Sequence, residues 1–157
     1  MGIIVKDDML FVMNTKNTTY AFFKDDAGVL VNLYWGHRIA RAEDFDTTSM
    51  EWEQGYHPDI DKKREECSSY GRMRYKEASM KVAFADGTRD FRYHVDSYQI
   101  EGDHLRISLR DDHYPFGIVL HYVVHEELDI IEKWREAENL GEETVQIERF
   151  YSAEFTL

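Results

Sequence analysis

The sequence predicts an all-β sandwich of antiparallel sheets, and three observations carry that prediction. Val, Ile, Phe, Tyr and Thr gather in short segments, glycines beside aspartates punctuate several of them, and only two prolines, Pro58 and Pro115, interrupt the chain. Strand-forming runs at such spacing are the mark of a sandwich or barrel.

In chain order the predicted strands are 3–5 (Ile-Ile-Val), 9–13 (Met-Leu-Phe-Val-Met), 18–23 (Thr-Thr-Tyr-Ala-Phe-Phe) and 29–35 (Val-Leu-Val-Asn-Leu-Tyr-Trp). They continue with 80–85, 91–100, 104–109, 117–125 and 145–150. Asp25-Asp26-Ala27-Gly28, Ala85-Asp86-Gly87-Thr88 and Glu101-Gly102-Asp103 supply the φ > 0 positions of tight turns, so each predicts a hairpin. Residues 111–117, with Pro115 and Gly117, read as a longer loop.

Two intervals depart from this rhythm. Residues 40–77 are dense in charge yet hold Trp52, Tyr56, Tyr70 and Tyr75; a long run without a clear element is often a functional loop. In residues 128–140, Leu128, Ile131, Trp134, Ala137 and Leu140 recur every third position, and Gly141 could cap a helix. Local physics alone makes that segment an amphipathic helix.

At 157 residues the chain is the size of one domain, with 43% hydrophobic and 14% aromatic residues to build a core. Nineteen Lys and Arg against 31 Asp and Glu leave a net charge of −12, which repels nucleic-acid phosphates and anionic membranes. The single cysteine, Cys67, rules out an internal disulfide and fits a reducing compartment. There is neither a signal-peptide core at the N-terminus nor an 18-residue apolar window, so the expected location is the cytoplasm.

No reactive constellation stands out. His121 and His125 are four apart, but on a strand that is about 13 Å, too far for one metal, and no HExxH surrounds them. No Gly-x-Ser-x-Gly elbow, Walker loop or Gly-x-Gly-x-x-Gly occurs, so no catalytic residue, metal or cofactor is expected. Carboxylate pairs such as Glu51/Glu53 or Glu65/Glu66 are unspecific among 31 acids. Trp52 with Glu51, Glu53 and Tyr56 is the more telling mixture, since pyranose faces stack on aromatic rings while carboxylates bond the hydroxyls. Trp35, at the end of an apolar run, reads as core.

The run from Met9 to Phe22 (MLFVMNTKNTTYAF) and Gly28 to Ile39 (GVLVNLYWGHRI) resembles the opening of the N-terminal domain of glycoside hydrolase family 36 α-galactosidases, which carries T-x-N-T-S-Y-x-F before G-x-L-x-H-L-Y-Y/W-G-x-R. Leu120 to Ile131 (LHYVVHEELDII) is similar to the family's L-x-Y-T-V-F-E-D-L-D-V-I. Asn139-x-Gly141 and Arg149 to Phe155 (RFYSAEF) are similar to its closing N-x-G and R-x-x-S-A-x-L-D. Glu66 to Ala78 falls where the family has Q-E-Y-P-x-Y-G-x-x-D-F-R-x-P-A, but with Ser68, Arg74 and Ala78 in place of Pro, Asp and Pro. Lys133-Trp134-Arg135 echoes the family's catalytic K-W-D without its Asp.

The resemblance implies a β-supersandwich of the galactose mutarotase-like kind, with residues 130–138 a strand instead of a helix. It implies a parent enzyme that is a retaining α-galactosidase, whose two catalytic aspartates sit in a (β/α)8 barrel of about 200 residues or more that this chain has no room for. The domain then supports that barrel and helps subunits form a homo-oligomer. It touches an α-galactoside only peripherally, through Trp52, Glu53 and Tyr56. The alternative is a free-standing carbohydrate-binding or assembly module with no catalytic partner.

Overall fold

A computed structural model describes residues 2–6, 9–45, 64–71 and 77–155. Ten strands follow in order: β1 (Ile3–Lys6), β2 (Leu10–Asn14), β3 (Thr18–Lys24), β4 (Leu30–His37), β5 (Met80–Ala83), β6 (Tyr93–Glu101), β7 (His104–Asp111), β8 (Phe116–His125), β9 (Ile130–Asn139) and β10 (Gln146–Phe150). Two antiparallel meanders, β1-β2-β3-β4 and β6-β7-β8-β9, face each other, with a two-stranded β10-β5 ribbon beside them. The all-β sandwich that the sequence predicts is therefore the fold.

Between the meanders lies one core. Phe11, Met13, Phe22 and Leu30 from the first sheet meet Leu105, Ile107, Leu109, Ile118, Leu120 and Tyr122 from the second, with Met80 and Val82 of the ribbon among them. In β7 the residues alternate between half-buried and buried along the strand, the period-two signature of a sheet with one wet face. By contrast β2 is buried along its whole length. Its outer residues Leu10 and Val12 pack with Ala21 under Ala42, part of a 3-10 turn at Ala42–Asp44.

Gly28 (φ 75°) and Gly102 (φ 61°) turn the β3-β4 and β6-β7 hairpins in the left-handed region, where a side chain would be strained. The third expected hairpin is a turn only. Phe84 and Thr88 close it around Gly87 by a 2.8 Å backbone bond, but the chain beyond runs on as irregular structure and β5 pairs with β10.

Residues 130–139 form a strand, against the helical reading of 128–140. All ten pair with β8 in unbroken register, from Phe116↔Asn139 to His125↔Ile130. The three-residue hydrophobic spacing fails because the core-facing positions include Lys133 and Arg135, charges that the core accepts for reasons given below. Asp129, left-handed at φ 58°, ends the 3-10 turn Glu126–Leu128 just before the strand. Gly141 caps nothing helical; a Cβ there would lie 2.6 Å from the Pro115 ring. Trp35 is no core residue either: it is 58% exposed, its ring 5.1 Å from that of Phe155.

Candidate functional site

Trp52, Glu53 and Tyr56 lie outside the described residues, within 46–63. The described end of their interval is not a loose loop. Asn32 donates to the Arg64 carbonyl (2.6 Å) and Glu66 to that of Leu30 (2.8 Å), while Ser69 bridges to Met80. Residues 65–69 are thereby buried between β4 and β5.

This burial carries Glu66 into the core, where it is wholly inaccessible. Its carboxylate accepts from Tyr20 (2.6 Å) and Tyr122 (2.7 Å) and is ion-paired with Lys133. Burial pushes the carboxyl up, but the Lys133 charge and the donors from Lys133, Tyr20 and Tyr122 outweigh it and hold it below the usual range. Burial and the same carboxylate push both tyrosine hydroxyls far up. Arg135, 6% exposed, donates to the Glu66 carbonyl (2.6 Å) and to Ser79 (2.9 Å). The hub ties β3, β8 and β9 to the 65–69 segment. Its chemistry is cohesive: the carboxylate is saturated with donors and inaccessible to a substrate.

The second concentration of polar groups is the outer face of the β6–β9 sheet. Three registered rungs cross it. Ser97, Ser108 and Val119 form a short one that ends on Glu136. On one side stands Gln99–Arg106–His121–Trp134; on the other stands His94–Arg110–Gly117–Glu138. Gly117 lets Arg110 lie across β8 and reach Glu138 at 2.5 Å, since a Cβ there would fall 2.2 Å from the guanidinium. The short rung between tall ones leaves an open trench of about 450 Å³, within the range of small-molecule sites.

His121 and Trp134 stack face to face, centroids 4.6 Å apart at 8°, and His104 Nε2 meets His121 Nδ1 at 3.0 Å. Covered this way, His121 is only 6% exposed. Burial, joined by the nearby His104 and Arg106, holds its pKa below the ordinary histidine value against the pull of Glu136. The imidazole is therefore neutral at pH 7. Glu136 Oε1 stands 3.6 Å from Nε2, beyond hydrogen-bond distance, so Nε2 has no partner. Sequence reasoning missed this face, although the alternation of β7 already put Arg106, Ser108 and Arg110 on one side.

The model for the glycosyl hydrolase family 36 N-terminal domain matches residues 28–157. The chain belongs to this family. Among solved structures, the fold of this chain recurs in the α-galactosidase from Lactobacillus brevis, with a TM-score of 0.84 at 19% identity over 96% of this chain and 24% of that one. The galactosidase domain of the α-galactosidase–sucrose kinase AgaSK gives 0.79 at 22% identity, over 96% and 25%. The family 36 α-galactosidase AgaB from Geobacillus stearothermophilus gives 0.78 at 17%, over 97% and 24%. The chain spans about a quarter of the length of these enzymes. No curated protein matches it. In this family 36 domain the Lys133-Trp134-Arg135 triplet is structural, with Lys133 and Arg135 inside the Glu66 hub and Trp134 on the opposite face of the strand.

Proposed function

We propose that this chain is the non-catalytic N-terminal sandwich of an α-galactosidase-like retaining glycoside hydrolase, that it supports a catalytic (β/α)8 barrel, and that it helps subunits assemble. The reading rests on the family match across residues 28–157. The solved neighbours, of which it spans a quarter, are α-galactosidases. An exposed apolar cluster suits a docked neighbour: Trp35 and Phe155, 58% and 51% exposed, pack together over Tyr20. In this reading Trp52, Glu53 and Tyr56 edge the sugar site, and the lone buried Cys67 fits a reducing cytoplasm.

The test uses a nitrophenyl α-galactoside with the chain alone and with the chain fused ahead of a family 36 barrel stripped of its own sandwich. The chain alone gives no turnover, the fusion restores it, and replacing Trp52 by alanine raises KM more than it lowers kcat. Hydrolysis by the chain alone, or a barrel indifferent to the fusion, overturns the reading.

A further inference from the structure

The outer face of β6–β9 carries a low row of side chains between taller ones. Along β7 the walls at Arg106 and Arg110 stand about 13 Å apart to either side of Ser108, and the floor residues Ser97, Ser108 and Val119 are too small to fill the gap. One wall is built from the Arg106 guanidinium and the stacked rings of His121 and Trp134.

We propose that this trench is a binding groove for a neutral saccharide, separate from residues 46–63. The lining mixes donors and acceptors: hydroxyls at Ser97 and Ser108, the Gln99 amide, the Arg106 guanidinium, and carboxylates at Glu136 and Glu138. That mixture suits a polyhydroxylated ligand, whose every hydroxyl both donates and accepts. An anion would meet Glu136 and Glu138 in a chain of net charge −12, and an apolar ligand would strand the polar floor. Among the described residues no group of three His, Cys, Asp or Glu could hold a metal ion. The inference goes beyond the supporting role above and survives if that role fails, because binding is read on the chain alone.

The experiment is an amide NMR titration of the chain with raffinose and, separately, maltotriose. Saturable shifts confined to Ser97, Ser108, Val119 and the Trp134 indole are expected, with a dissociation constant on the order of 1 mM. Ser108→Leu, which raises the floor from an outward position, weakens binding at least tenfold. Glu136→Ala, at a side chain 59% exposed and so harmless to folding, weakens it severalfold. Absence of saturable shifts with both sugars, shifts centred elsewhere, equal binding by both variants, or equal shifts from inorganic phosphate or calcium chloride would overturn the assignment.

Discussion

Replacing Lys133 by methionine isolates the electrostatic worth of the Glu66 hub. The Glu66 side chain is fully buried and that of Lys133 only 7% exposed, so the ammonium is the one full positive charge ion-paired with the carboxylate among the described residues. Methionine keeps much of the volume and removes the charge. An uncompensated buried carboxylate costs about 3–5 kcal/mol, which in a domain of this size lowers Tm by roughly 6–20 °C.

The pH dependence reverses sign as well. In the wild type the carboxyl is held below its ordinary value, so its contribution is present above the unfolded pKa of about 4.3 and is lost as pH falls through the lower folded value. Without Lys133 burial dominates and the folded pKa rises above the unfolded one. The penalty is then greatest at pH 7 and shrinks as pH falls and the carboxyl takes up a proton. Urea denaturation followed by tryptophan fluorescence at pH 7 and pH 5 measures both effects. Adding Glu66→Gln to Lys133→Met recovers part of the loss. A loss under about 1 kcal/mol at pH 7, a loss that grows as pH falls, or strict additivity of the two substitutions refutes the argument.

Two further outcomes are expected. Asp129 accepts hydrogen bonds from the Thr15 hydroxyl, the Asn17 backbone and the Asn17 amide, which bring its pKa down to about 2; its stabilising contribution is present above the ordinary carboxylate range and lost as pH falls toward 2. Asp129→Asn flattens that acid limb, and a carboxyl NMR titration in the wild type with its midpoint near an unperturbed 3.9 would contradict it. At Gly117, Gly117→Ala places a methyl 2.8 Å from the Leu109 carbonyl and 2.2 Å from Arg110. This breaks the Arg110–Glu138 pair at a cost of about 1–3 kcal/mol, read as a shift of the urea midpoint that Arg110→Met partly relieves; an unchanged midpoint would show that the close approach carries no constraint.

The strands were legible because they obey local rules. The alternation in β7, the continuous apolar run of β2 and the glycines at 28 and 102 each encode their structure within a few residues. Strand β9 obeys no local rule, since Lys133 and Arg135 sit at inward positions whose partner, Glu66, is more than sixty residues away. The same distance hides the hub. Glu66 looks in the sequence like one of many interchangeable acids, and only the crossing of residues 65–69 between β4 and β5 singles it out. Trp35 reads as core for the converse reason: its neighbours in the run are apolar and the β3–β4 register sets it beside buried Tyr20, but it stands on the edge strand of its sheet, where it meets Phe155 and stays exposed.

The sequence by itself determined the sandwich, its meander hairpins and, through scattered motifs, its family, because these rest on periodicity, turn chemistry and residue identity. Tertiary structure alone decided which acid is buried, that residues 130–139 extend, and that Ser97, Ser108 and Val119 align into one floor. Those outcomes depend on strand register, and register brings together residues that no local interaction connects.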